Sequence, residues 1–302
     1  MRYLHSILFM FLITIVLYGC GYDFNNTGKK ISEIVHPTVD DLYFHRIDEP
    51  NEKAFSFLAP GGWELSGGII RVNNLNQWDS YTEAKLYMKL SSPDSKSVFC
   101  WLPDNRYYDT NYNNHSRMEN INSGLTPMSF LSPGNYIVKI AFPFAHPHAR
   151  STTLVEVETI NDIASLYNEP VDQIQHEINS SHSGAIVTMR YCENDTLFIE
   201  KFFCVIEDRR KSNSGEWGNK ETWYFRTALK DYETMEPVFA TIGESVWLNP
   251  QWVKSEIKNN NVLVGEVNDQ YITSALQKFC EQKTRLNNIV FYHIKNQLIH
   301  YE

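Results

Sequence analysis

The chain has 302 residues, 42% of them hydrophobic and 14% aromatic, and a formal net charge of −9. That length allows one large or two modest domains with a real core. The acidic balance argues against nucleic acid as a partner and against electrostatic adhesion to anionic lipid, because both need a basic surface.

In chain order, the first segment is an export signal. Arg2 supplies a short positive region, and Leu4 to Val16 is an apolar run broken only by His5, Ser6 and Thr14. Leu17-Tyr18-Gly19-Cys20 then places a small residue before a cysteine. The pattern resembles a bacterial lipoprotein signal peptide over residues 1–19, cleaved before Cys20, which becomes the lipid-bearing N-terminus. Tyr18 is bulkier than the usual residue there. The alternative, an uncleaved anchor, is disfavoured because the run falls short of the roughly 20 apolar residues of a spanning helix. Several acyl chains hold a protein firmly where one holds weakly. The expected location is therefore the cell membrane or outer membrane, lipid-anchored and facing an extracytoplasmic compartment. Residues 20–41 are polar and lack core periodicity, which predicts a flexible tether.

Residues 42–250 read as an α+β globular domain, with a possible division into two sheet-plus-helix halves near residue 180. Ala54 to Ala59 and Trp63 to Val72 predict strands around a turn at Pro60-Gly61-Gly62. Glu83 to Leu90 alternates, and Val98 to Leu102 is a short apolar strand. Pro103 to Pro127, rich in Asn, Asp, Tyr and Ser, reads as a long functional loop. Ser132-Pro133 opens a helix to about Phe142, Thr152 to Glu158 is a strand, and Asp162 to Ile178 has helical spacing. Ala185 to Cys192, Leu197 to Glu207 and Glu221 to Leu229 form a second β-rich block, and Met235 to Val246 is helical. Residues 251–302 form a C-terminal helical segment, with a helix from Pro250 to Lys258 and a long one from Asp269 to His300. Its Ile272, Ala275, Leu276 and Phe279 share one face that could meet a partner or its own domain.

Besides Cys20 there are four cysteines, and no CxxC pair. Cys192 and Cys204 flank a predicted hairpin turning at Asn194-Asp195, in a register too far offset for a bridge. Leu65-Ser66-Gly67-Gly68 resembles an ATP-cassette signature loop, but no phosphate loop accompanies it and a strand turn is expected. His176-Glu177 lacks the second histidine four residues on, so the zinc-protease spacing fails. His146-Pro147-His148 lacks a third ligand and reads as a turn after a helix. No cofactor or metal is implied.

Two regions carry candidate binding residues. Asp104, Arg106, Tyr107, Tyr108 and Asp109 set aromatic rings beside carboxylates, a mixture suited to sugars or small polar molecules. Asp104 and Asp109 could also serve as an acid/base pair if burial separates their proton affinities. Trp217, Glu221 and Arg226 could line a cleft at the start of a strand.

Phe55 to Trp63 with Ser66-Gly67-Gly68, the Trp101-Leu102-Pro103-Asp104 block, Trp217 to Thr222, Glu236 to Phe239, and Asn249-Pro250-Gln251-Trp252 together resemble an uncharacterised bacterial lipoprotein family, roughly from Ala54 to Arg285. The resemblance implies a shared fold and carries no established activity. The strand-Gly-Trp opening and the helix before Ser245-Val246 also look like the PsbP/Mog1-type α+β sandwich. The expected protein is thus an α+β lipoprotein with an antiparallel sheet core and a non-catalytic binding or assembly role. Its expected partners are the membrane through the lipid, and an envelope protein or small polar ligand. The rival is an envelope hydrolase acting on a polar or carbohydrate substrate through Asp104, Asp109, Glu221 or His146.

Overall fold

The computed structural model describes residues 42–73, 82–112, 125–168, 180–212, 215–260 and 269–297. Its strands are β1 (Phe44–Asp48), β2 (Phe55–Pro60), β3 (Glu64–Asn73), β4 (Thr82–Ser91), β5 (Val98–Leu102), β6 (Asn105–Tyr108), β7 (Thr126–Pro127), β8 (Arg150–Ile160), β9 (Ser181–Glu193), β10 (Thr196–Asp208), β11 (Glu216–Ala228) and β12 (Trp247–Leu248). A continuous helical run, α1, joins Pro133–Tyr136, Ile137–Ala141 and Phe142–Ala145. The other helices are α2 (Asp162–Asn168), α3 (Tyr232–Glu244), α4 (Pro250–Asn260) and α5 (Asp269–Asn296). The architecture is α+β.

One large sheet runs β3-β4-β5-β11-β10-β9-β8, with β6 paired to β11 and β7 to β6. A small second sheet, β1-β2-β12, is hydrogen-bonded separately and packs on it through β2, Phe57 lying 5.3 Å from Trp101. Strands from before and after residue 180 meet where β5 pairs with β11, Phe99 opposite Phe225. The two β-rich blocks of the sequence therefore build one sheet and not two.

The central strands β9 to β11 are apolar on both sides because both faces of the sheet are covered. On one face Ile199, Phe203 and Val205 of β10 join Trp223 and Phe225 of β11 against β2, α3 and α5. Phe225 stacks on Phe239 of α3 at 4.5 Å, and Trp223 on Phe291 of α5 at 5.4 Å. A Cβ on Gly243 would lie 2.1 Å from the Phe291 ring, so the glycine lets the two helices close. On the opposite face Phe202, Cys204 and Ile206 pack with Tyr224 against Tyr136, Ile137 and Phe142 of α1.

Several boundaries differ from the sequence reading. Helix α1 passes Phe142 and reaches Ala145, because a π-turn in which the Phe142 N–H donates to the Ile137 carbonyl precedes Pro143. The wider turn absorbs the hydrogen bond that proline cannot make. The long loop predicted after Pro103 contains β6 and β7, and β11 begins five residues before Glu221. Gly67-Gly68 is no turn but the middle of β3, paired with Met88 and Tyr87. Gly68 has φ +142, and a Cβ there would sit 2.6 Å from the Glu49 carboxylate. Glu49 is fully buried and accepts backbone N–H groups from Asn51, Glu52, Ala54 and Ile69, which staples the β1–β2 loop onto β3.

β8 forms an edge of the large sheet. Its pairing with β9 slips twice, between Arg150 and Thr153 and between Leu154 and Glu156, and Ser151 has φ +50 at the first slip. Leu154, Val155 and Val157 on this strand are exposed. On α5, Leu286, Val290, Phe291 and Ile294 enter the core, whereas Phe279 is exposed. The rest of the stripe proposed on that helix (Ile272, Ala275 and Leu276) falls outside the side chains described.

Candidate functional site

A turn at Pro103 leads from β5 into β6 and is held by one buried side chain, Asn219 of β11. The Asn219 Oδ1 accepts the Asn105 N–H at 2.8 Å and the Tyr136 hydroxyl at 3.0 Å. Its Nδ2 donates to the Pro103 carbonyl at 3.1 Å and the Thr222 Oγ1 at 3.0 Å. All four hydrogen-bonding sites of that amide are used. Gly218 lets the two strands come together, since a Cβ there would meet the Asn105 carbonyl at 2.3 Å. The Trp-Leu-Pro-Asp and Trp-Gly-Asn-Lys-Glu-Thr blocks thus lock one corner of the fold, and they leave a recess of about 100 Å³ beside it.

Glu83 and Lys85 of β4, Asp104 to Arg106 at the corner, Glu207 at the end of β10 with Arg209 just beyond it, and Glu216 to Lys220 of β11 line that recess. Lys85 pairs with Glu83 at 2.9 Å and donates to the Asp104 carbonyl at 2.8 Å. Arg209 lies 3.0 Å from Glu207, with Lys220 at 4.0 Å and His182 at 3.7 Å from the same carboxylate. Beside the recess, Lys283 of α5 pairs with Glu221, and the Tyr167 hydroxyl of α2 reaches Glu221 at 3.5 Å. Tyr167 in turn stacks on His182 at 4.8 Å.

This crowding separates two carboxyl groups. Asp104 keeps contact with solvent in the recess, yet the surrounding protein displaces enough water to push its carboxyl up to about 7. Lys85 and Lys220 pull it down, and Glu221 and Glu83 push it further up. Burial also pushes Glu207 up, but His182, Lys220 and Arg209 outweigh it and hold Glu207 far below the usual carboxylate range.

The structure thus brings Asp104, Arg106 and Glu221 to one corner and packs the other candidates into the body of the fold. Tyr107, Tyr108, Asp109 and Trp217 are buried, not displayed on a loop. Tyr107 stacks on Trp217 at 4.5 Å, the Trp217 Nε1 donates to the Met128 carbonyl at 3.0 Å, and the Tyr108 hydroxyl donates to the Tyr112 carbonyl at 3.0 Å. These side chains hold β6, β7 and β11 together. Asp109 sits at the far end of β6 from Asp104, where it accepts the Asn111 N–H at 3.0 Å and pairs with Arg210 at 3.1 Å. That location excludes it as the acid/base partner of Asp104.

Arg226 is committed on the α1 face of the sheet. Its Nη1 lies 2.6 Å from Glu193 and 3.3 Å from both the Tyr191 hydroxyl and the His146 Nδ1, and its guanidinium covers the Phe198 ring at 4.6 Å. His146, the residue that ends α1, contacts the fully buried Glu200 at 2.8 Å. Glu200 and Tyr191 carried no sequence signal beyond a polar residue inside an apolar strand. His146 therefore belongs to a closed polar network and not to the recess. Nor do Cys100, Cys204 and Cys280, all pushed up by burial, supply an activated thiol. Burial pushes Cys100 up to about 12 and Cys204 higher still. Cys192 pairs in register with Leu197 and Cys204 with Ala185, so the two are far apart along the hairpin. Its turn at Asn194-Asp195 has positive φ at both residues, as a two-residue hairpin requires.

Among the described residues no three His, Cys, Asp or Glu side chains converge to hold a metal ion. Cys20 and the predicted tether lie outside the described residues, and among those residues no helix is long and apolar enough to cross a membrane.

No family model matches the chain, and no curated protein does. Among solved structures it is similar to a cyanobacterial PsbP (CyanoP) from Synechocystis sp. PCC 6803, with 10% identity over 73% of this chain and 98% of that one, at a TM-score of 0.30. It is also similar to a protein of unknown function from Pseudomonas aeruginosa, with 11% identity over 66% of this chain and 90% of that one, at a TM-score of 0.23. At these scores neither likeness extends to a shared site or activity.

Proposed function

We propose that this protein is a lipid-anchored component of the bacterial cell envelope with a non-catalytic binding or assembly role, and that the recess at Asp104 is where it engages its ligand or partner. One observation carries the binding part of this reading: side chains from β4, β10, β11 and the β5–β6 corner converge on one concave, mixed-charge recess. The anchoring part rests on the Gly19-Cys20 junction after an apolar run. The motif blocks between Ala54 and Arg285 are the basis for grouping the chain with the uncharacterised lipoprotein family. A mixed-charge recess suits a small polar ligand or a charged protein segment.

Labelled palmitate fed to producing cells should enter the parent protein and not the Cys20→Ser variant. Crosslinking and mass spectrometry of intact cells should recover a partner set that changes in an Asp104→Asn, Lys220→Glu variant. Unchanged crosslinks together with absent palmitate would remove both parts of the proposal.

The rival hydrolase draws on one specific observation, the separation of Asp104 and Glu207 into a carboxyl that holds its proton near neutrality and one that does not. Release of soluble sugar fragments from purified envelope by the parent, abolished by Asp104→Asn, would favour it.

A further inference from the structure

The α1 face of the sheet holds a buried polar cluster whose fixed charges do not balance. Glu193 of β9 and Glu200 of β10 bring two carboxylates, and Arg226 of β11 brings one guanidinium. Arg226 is committed to Glu193 at 2.6 Å, which leaves Glu200 with the His146 Nε2 at 2.8 Å. Glu200 is fully buried, and among the described residues its Oε2 has no hydrogen-bond partner. The neighbouring groups do not make up the difference. Burial pushes the Tyr191 and Tyr224 hydroxyls up and the Cys100 thiol up to about 12, so all three keep their protons. Arg226 keeps its charge, because Tyr191 and Glu193 outweigh its burial. His148 and Arg150, on the chain just beyond His146, are exposed. His146, itself buried, is the group placed to supply the missing positive charge.

We propose that one proton, held on His146 against Glu200, latches the last turn of α1 to the sheet, and that losing it lets that turn open. With the proton, the imidazolium is the counter-charge of Glu200, and its Nδ1–H can donate to the Tyr191 hydroxyl at 3.2 Å. Without it, two buried carboxylates share one guanidinium, an arrangement that burial makes costly. The Arg226 Nη1 lies 3.3 Å from Nδ1 and opposes the second proton, so Glu200 and Arg226 pull the ring in opposite directions. The moving part is short. The His146 N–H donates to the Phe142 carbonyl at 2.9 Å, and Pro143 has no N–H to add. On the other side of the π-turn over Ile137–Ala141, the Tyr136 hydroxyl is tied to Asn219 at 3.0 Å. That turn is the hinge. The closed form binds one proton more than the open form, so opening is suppressed at low pH and gains up to about tenfold per pH unit as the proton is lost.

Hydrogen exchange of the full chain, corrected for the intrinsic rate at each pH, reads the opening at the Phe144 to His146 amides. Between about pH 6 and 8.5, the range in which histidine charge changes, corrected exchange there should rise at least tenfold. The Tyr136 and Ile137 amides, across the hinge, should stay protected. Glu200→Gln keeps an oxygen for the Nε2–H and needs no counter-charge, so its exchange should be flat with pH. NMR of the His146 ring gives a reading that needs no variant: both nitrogens should be protonated at pH 6 and one at pH 8.5. Equal rises in the parent and Glu200→Gln, a rise shared by Tyr136 and Ile137, or a ring already neutral at pH 6 overturns the latch.

Discussion

Replacing Glu49 by glutamine tests the account of the Gly67-Gly68 segment. The Glu49 Oε1 accepts from Asn51 at 3.0 Å and Ile69 at 2.7 Å, and the Oε2 accepts from Glu52 at 2.8 Å and Ala54 at 3.4 Å. A glutamine amide can keep only one of these pairs, because its nitrogen is a donor facing donors. The weaker pair is the one at Oε2, so the nitrogen should settle there and strand the Glu52 and Ala54 amides. Two orphaned buried donors at about 1–3 kcal/mol each, one already weak, give an expected loss of about 3 kcal/mol. For a domain of this size that lowers the melting temperature on the order of 6–12 °C. Urea denaturation reads the loss, and hydrogen exchange should show Glu52 and Ala54 losing protection while Ile69 keeps its own. Gly68→Ala adds a second arm. Its positive-φ strain persists in any background, but the 2.6 Å contact with the Glu49 carboxylate vanishes when residue 49 is alanine. The Glu49→Ala, Gly68→Ala double variant should therefore be more stable than the two single losses predict, by about 1 kcal/mol or more. A glutamine penalty below about 1 kcal/mol, or strict additivity of the pair, would refute the staple.

Other expectations follow from the buried charges and the corner amide. Asp104 holds its proton to about 7 in the folded state against an ordinary value of 3.8, so the native form binds the extra proton and its stability should fall as pH rises between those values. Asp104→Asn should match the parent near pH 4 and exceed it above pH 7, by no more than about 1 kcal/mol because water screens the recess. Lys201, fully buried, is lowered to about 8 mainly by burial and donates to the Ile294 carbonyl near the end of α5. The unfolded chain then binds more protons between about 8 and 10.5, and the parent should gain stability over that window. Lys201→Met should lose that gain, and parallel stability–pH curves for the two proteins would contradict it. Asn219→Ala, which removes four hydrogen bonds at the β5–β6 corner, should cost about 3 kcal/mol and raise exchange at the Asn105 amide first. Equal effects on distant strands would show that the corner is not held locally.

The elements legible in the sequence were those marked by their own residues, through an apolar run, alternation or helical spacing. β2 to β5, β8 to β10 and the helices α3 and α5 were marked in this way, and the α+β class follows from them. β6 and the start of β11 were misread for one physical reason. Their polar residues find partners inside the protein and not in water: Asn219 ties down a turn 114 residues away in sequence, and Asp109 meets Arg210. Asparagine, aspartate and tyrosine in a row look like a loop unless those distant partners are known. For the same reason the aromatic candidates Tyr107, Tyr108 and Trp217 proved to be core, while Asp104, Arg106 and Glu221 did reach one corner. The polar groups Glu49, Glu200 and Lys201 gave no warning at all. Glu49 reaches the Ile69 amide, Glu200 meets His146 through one oxygen and Lys201 the Ile294 carbonyl, distant contacts that no local pattern contains.

The two slips in β8 bear on how copies of this protein behave when crowded. A long, straight rim strand bearing Leu154, Val155 and Val157 would offer a neighbour a ready row of amides and carbonyls, the start of a growing ribbon. Shifting the strand out of register at Ser151 and again before Glu156 interrupts that row after a few residues. The slips leave few consecutive amides for a neighbour beside those greasy side chains, and deleting Ser151, which lengthens the regular run, should make the protein aggregate faster in light scattering.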